Sequence, residues 1–254
     1  MKLENQRCQG ASPDASRFSC KQAYLSILCA IPSGAKRSAS KAIEKVGSIV
    51  TTDLNNSILK HSLGSFSRDR QLAFMLLLCE RMMPALNRFA VETNYDISLY
   101  RRCLDDAWSC LAGIGNLSNY GELAEECLDS APDTEEFNHP LISAALNAAL
   151  SVAGMMSFLA DDNVDHVVEA AGLASDTVAL YAQDVAATPP RSLGFQEIMG
   201  HPLMKQELQQ QLDDLKFLEA LPMDISQEMI PLIKKHAEDT SLLIFSGNYR
   251  NKIR

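Results

Sequence analysis

Residues 71–84, QLAFMLLLCERMMP, limit the fold of this 254-residue chain more than any other stretch, because the run is apolar nearly all the way round and closes on a charged Glu80-Arg81 pair. A helix apolar on one stripe lies on a surface; one apolar on every side must be wrapped by other elements. The run therefore predicts a central, buried helix. Ser67 can cap it with Asp69 at its second position, and Pro84 either kinks it or opens a next helix, Ala85 to Thr93.

Further along, Leu99, Cys103, Leu104, Ala107, Trp108 and Leu111 recur at steps of three and four, which places them on one stripe of a helix that starts at Asp96 or Ser98 and stops at Gly113. A short acidic helix follows from Asn119 to Leu128. Pro140 opens an Ala-rich helix reaching about Leu159, and Asp161-Asp162-Asn163 cap another from Val164 to about Ala187. Pro202 begins a helix to Leu221, and Ser226 a last one to about Glu238. Apart from Ser241–Phe245 nothing alternates as a strand would. The expectation is an all-α fold, a compact bundle of about eight helices in a single domain at 56–254. Phe74, Leu77, Leu78, Leu104, Trp108 and Leu111 are its expected core.

The stretch QLAFMLLLCERMMP, together with LYRRCLDDAW at Leu99 to Trp108, resembles the YjaG-like family of bacterial proteins, a domain of unknown function. Weaker echoes follow at His139-Pro-Leu-Ile-Ser-Ala-Ala-Leu-Asn and His201-Pro-Leu-Met-Lys-Gln-Glu-Leu, so the likeness runs from about Ile58 to Glu238. It departs at Ala85-Leu86, where the family usually carries an Asn-aromatic pair, and at the C-terminal FSGNYRNKIR. The resemblance implies a helical fold and brings no catalytic residue with it.

Charge divides the chain. Residues 1–70 hold 11 lysines and arginines against 5 acids, a balance of +6, whereas 71–254 hold 12 against 27, a balance of −15. So acidic a body repels a phosphate backbone, which argues against nucleic-acid binding by the helical part. Residues 1–55 are Ser- and Lys-rich and locally apolar only at Ala23–Ile31; they read as a weakly ordered basic leader, an upstream extension. With 46% hydrophobic and 22% charged residues, and no apolar run judged to approach the roughly 20 residues of a membrane span, the chain reads as cytoplasmic with no membrane partner. Seven cysteines, at 8, 20, 29, 79, 103, 110 and 127, form no C-x-x-C pair and read as reduced thiols. Cys103 and Cys110 share a helix face as small core residues.

Two charged constellations stand out. Glu80 and Arg81 end the most buried helix, where an unpaired charge costs several kcal/mol, and Arg101, Arg102, Asp105 and Asp106 on the neighbouring segment are natural partners through i,i+4 pairs and a helix crossing. A structural ion-pair network is favoured there over a catalytic site. Asp161, Asp162, Asp165 and His166 are where a divalent ion would be sought, yet acids gather at helix starts to accept orphan N–H groups, so capping is favoured and no metal or cofactor is expected. His139 and His201 read as boundary residues and His166 and His236 as surface residues. Met82, Met83, Met155 and Met156 read as core filling rather than a docking groove.

No G-x-S-x-G or G-x-x-x-x-G-K-[ST] motif is present. The favoured reading is a non-catalytic helical protein that acts through an unknown protein partner, an immunity-type toxin neutraliser being its narrower form and a homodimer staying open. An enzyme built on Glu80, Arg81, Asp105 and Asp106 is the alternative.

Overall fold

Residues 59–115, 119–186 and 193–240 are described in this computed structural model, and all of them fall within one compact unit, Glu44–Arg254. The expected leader at 1–55 and the strand-like Ser241–Phe245 lie outside the described residues. A helical turn at 59–64 leads into eight α-helices. They are α1 (Arg68–Thr93), α2 (Ser98–Leu111), α3 (Tyr120–Asp129), α4 (Ile142–Asp161), α5 (Val164–Ala186), α6 (Phe195–Gly200), α7 (Pro202–Ala220) and, after a 3-10 turn at Gln227–Met229, α8 (Ile230–Asp239). The fold is all-α, and no strand occurs among the described residues.

The run at 71–84 becomes the central helix. In α1 every residue from Leu72 to Cys79 is fully buried. Ser67 caps its first turn by accepting from Arg70 N, and Asn94 ends it in the left-handed conformation at φ 58°. Pro84 lies inside α1 rather than dividing it. Having no N–H, it leaves the Glu80 carbonyl without its helical donor. Buried packing on α1 outweighs that loss, because burying one Leu or Phe side chain contributes about 1.5–3 kcal/mol.

Around α1 pack α4, α5, α8, α2 and α7, while α4 is itself covered by α1, α3, α5 and α2. All six expected core residues fall in one buried cluster, with Trp108 4% and Leu111 3% exposed and the others fully enclosed. Met82, Met83, Met155 and Met156 are buried in the same cluster. One expectation needs correction. The 20-residue α4 is long and apolar enough to cross a membrane. Ala144, Ala145, Ala148, Ala149 and Ala153 are small residues that let neighbouring helices approach closely, and α4 is a mostly buried core helix here.

Several helix ends follow their sequence signals. Asn163 Oδ1 accepts from Asp165 N at 3.0 Å at the start of α5, and His201 Nδ1 accepts from Leu203 N at 3.3 Å at the start of α7. Gly113, with φ 71°, takes the left-handed conformation just past α2.

Candidate functional site

The six charged residues singled out in the sequence do not form one cluster. Neighbours on an α-helix point about 100° apart, so Glu80 and Arg81 leave α1 in different directions. Glu80 faces α2, where its Oε1 accepts from Trp108 Nε1 at 3.0 Å and its Oε2 from Arg101 Nη1 at 3.4 Å. Arg101 also reaches Asn87 Oδ1 at 3.3 Å. Arg102 pairs with Glu126 of α3 at 3.6 Å, both exposed. The expected i,i+4 partners Asp105 and Asp106 therefore hold neither arginine. An exposed i,i+4 pair contributes only about 0.3–0.5 kcal/mol, too little to outbid a carboxylate across a helix crossing.

Arg81 turns the other way and is fully buried. Its Nη1 donates to Asp214 Oδ2 and its Nη2 to Glu207 Oε1 at 3.1 Å, both on α7 and both buried. Asp214 Oδ1 accepts in addition from Gln210 Nε2 at 2.9 Å and from His236 Nε2 at 2.8 Å. A carboxylate can only accept, so His236 carries its proton on Nε2. The imidazole stacks on Phe217 with ring centres 4.0 Å apart. Gln211 Nε2 bonds Glu207 Oε1 at 2.9 Å and reaches the Ala171 carbonyl of α5 at 3.1 Å. One arginine thus ties α1 to α7, and through its carboxylates to α8 and α5. His236 is half-buried in this network rather than a free surface residue, as is His166 beside Asp161. Nothing in the sequence pairs Arg81 with Glu207, Asp214 or His236, which lie more than 120 positions away.

Burial works against the charge on Arg81, but Glu207 and Asp214 more than offset it and hold its pKa above the ordinary value. Burial also pushes the Glu207 carboxyl up, Arg81 and Gln211 offset this only in part, and the Asp214 charge adds to the rise. A carboxyl whose folded pKa lies above its unfolded value binds more protons in the native state. Its contribution is present below the unfolded value near 4.5 and is lost as pH rises through the folded pKa. Glu207→Gln should therefore gain stability relative to the parent as pH is raised from 4.5 towards 8. Urea denaturation of both chains across that range measures the difference, and parallel curves would refute the assignment.

On the other side of α1 lies a groove of about 540 Å³. α1 contributes Glu80, Met83, Pro84 and Asn87, spaced at i, i+3, i+4 and i+7 on one helix face; α2 contributes Arg101, Asp105 and Trp108; α8 contributes Lys234, Ala237 and Glu238. Trp108 forms the floor, with its N–H fixed by Glu80 and the Lys234 ammonium 5.1 Å from the ring centre. A second hollow of about 470 Å³ shares Asp105, Trp108 and Lys234 and extends past Ile114 and Pro231. Ile114 is 67% exposed. On the rims, the exposed carboxylates Asp105 and Glu238 have no ion-pair or side-chain hydrogen-bond partner among the described residues. Lys234 and Glu238, four residues apart on α8, were not recognisable as site residues, because charges on the exposed face of an amphipathic helix are ordinary.

The acids at the α4–α5 junction are engaged with protein groups. Asp162 pairs with Arg68 at 2.5 Å, Asp165 with Lys60, and Asp161 bonds Asn163 N at 2.9 Å and His166 Nε2 at 3.1 Å. The Asn163 N–H, helped by His166, holds the Asp161 carboxyl below its ordinary value. Among the described residues no group of three or more His, Cys, Asp or Glu side chains is arranged to hold a metal ion.

These features define an all-α bundle built on one enclosed helix, with a buried arginine network on one face of that helix and a groove on another. The chain belongs to the family described as "Protein of unknown function (DUF416)", whose model matches residues 59–242. It is 27% identical over 140 residues to the uncharacterized protein YjaG of Escherichia coli (strain K12), covering 54% of this chain and 70% of the relative. With YjaG of Salmonella typhimurium it shares 26% identity over 167 residues, 65% of this chain and 82% of the relative. A solved structure of a DUF416 family protein from Shewanella baltica superposes with a TM-score of 0.62 at 20% identity, over 71% of this chain and 93% of that one. The likeness extends to the fold.

Proposed function

We propose that this protein is non-catalytic and acts by holding a basic segment of a partner protein in the groove between α1, α2 and α8. The observation that carries this reading is the pair of carboxylates Asp105 and Glu238, exposed, without ion-pair partners among the described residues, and lining the same groove as Trp108. Unpaired exposed charges contribute mainly to encounter rate and to choice of partner, and the −15 balance of residues 71–254 favours approach of a cationic partner. Ile114 and the stem of Lys234 supply apolar area beside them. In its narrower, immunity-type form the partner is a toxin nuclease, whose basic cleft the acidic face covers. A catalytic use of Glu80, Arg81, Asp105 and Asp106 has less support: Arg81 is enclosed by carboxylates, and both oxygens of Glu80 are engaged.

The test is fluorescence anisotropy with a labelled amphipathic peptide of Lys, Arg and Leu. Binding should weaken on the order of 10-fold in the Asp105→Asn/Glu238→Gln double variant and should fall with added salt, since exposed charges are screened over about 10 Å at 0.1 M. Equal affinity in the double variant, or equal affinity for the same peptide with Glu in place of Lys and Arg, would overturn the proposal.

A further inference from the structure

We propose that Cys103 and Cys127 form a reversible intrachain disulfide that staples α2 to α3. Their Sγ atoms lie 3.6 Å apart on different helices, 24 positions apart in sequence, and both residues are fully buried. A disulfide needs the sulfurs about 1.5 Å closer, a distance within reach of small side-chain rotations. By contrast Cys79, also buried, has no thiol neighbour among the described residues.

The crossing at this pair is otherwise thinly made. α3 packs mainly on α4. Beside the thiols, the polar contacts between α2 and α3 include Tyr100 Oη donating to the Cys127 carbonyl at 3.1 Å and the exposed Arg102–Glu126 pair at 3.6 Å. α3 buries only Leu123, Ala124 and Cys127 along its ten residues. Local opening of this ten-residue helix away from α2 gives an oxidant access to thiols that are enclosed in the closed state. The contact with Cys127 and, more weakly, the Arg102 charge hold Cys103 below the ordinary thiol value, while Cys127 is pushed up by Cys103 and by burial. Once α3 opens either thiol can attack first, and in the order Cys103 then Cys127 the exchange runs through two steps.

The oxidant is a small-molecule disulfide such as glutathione disulfide. Cys103 thiolate attacks one sulfur of it, expels one glutathione thiolate that takes up a proton, and becomes a mixed disulfide. Cys127, losing its proton, then attacks the Cys103 sulfur and expels the second glutathione. Two protein thiols and one glutathione disulfide give one protein disulfide and two glutathione thiols, so the protein is oxidised by two electrons and the reagent reduced by two.

The experiment equilibrates the reduced full chain with graded mixtures of glutathione and glutathione disulfide, quenches with acid, alkylates and maps the peptides. Expected is a cross-linked peptide joining Cys103 to Cys127, two hydrogens lighter than its parts, with Cys79 still alkylated. The oxidised chain should melt about 5–10 °C higher, as expected for a closed loop of this size, and dithiothreitol should reverse the shift. In Cys127→Ser the glutathione adduct on Cys103 should persist, and in Cys103→Ser no cross-link to Cys127 should form. The parent map decides the matter even where a variant fails to fold. Two results overturn the proposal: both thiols remaining alkylated in excess glutathione disulfide with enough urea present to open α3, or a persistent glutathione adduct on Cys103 of the parent chain.

Discussion

Arg81→Met should destabilise the protein by about 3–5 kcal/mol, the cost of stranding carboxylates inside the fold. The substitution keeps most of the side-chain volume, so the loss comes from charge rather than from a cavity. Asp214 would retain Gln210 and His236, but Glu207 would keep only Gln211. The penalty should therefore be smaller at pH 5 than at pH 8, because losing the Arg81 charge raises the pKa of the buried Glu207 carboxyl, and its protonation relieves the stranded charge. Against the 5–15 kcal/mol by which such domains are stable, this is enough to populate unfolded chains at 37 °C. Replacing the whole set, Arg81→Met with Glu207→Leu and Asp214→Leu, should recover most of the loss, since apolar substitutes for a complete buried ion network are often neutral or stabilising. Urea melts of the single and triple variants at both pH values decide this. A single variant within 1 kcal/mol of the parent would show that the network contributes little.

The central helix was legible because its signal is local. Eight consecutive apolar residues from Leu72 to Cys79 leave no polar face to turn outward, and the stripe through Leu104, Trp108 and Leu111 names its neighbour. Helix starts at Ser67, Asn163 and Pro202 were legible for the same reason, each being a short-range contest over orphan N–H groups. The six-residue α6 carried too few turns to show a period, so it went unread. The fate of Glu80 and Arg81 was beyond reach for a different reason. Sequence shows that a buried charge needs a partner, but not which distant helix supplies it. A helix crossing was expected to bring Glu80 or Arg81 to the charges at 101–106; Glu80 meets Arg101 there, whereas the carboxylates of Arg81 stand at 207 and 214. The groove was illegible in the same way, since it exists only where faces of α1, α2 and α8 converge, and on each helix alone those residues read as solvated positions or core edge.

Leu77→Ala should cost about 2–5 kcal/mol, while Val91→Ala on the same helix should change stability by no more than about 0.5 kcal/mol. Leu77 is fully enclosed, whereas Val91, fourteen residues on, is 85% exposed. Both changes remove apolar carbons from one helix, so propensity alone would make both mildly favourable. What separates them is how far the surroundings can close over the space left behind. Leu77 sits within the run Leu72–Cys79, every residue of which is fully enclosed, and a close-packed interior of this kind has little room to move closer. A persistent cavity then adds to the lost transfer energy, by about 24 cal/mol for each Å³ that fails to collapse. The loss should fall near the upper end of the range. Chemical denaturation of both variants against the parent measures it, and equal, small effects at the two positions would mean that α1 is not the enclosed centre of this bundle.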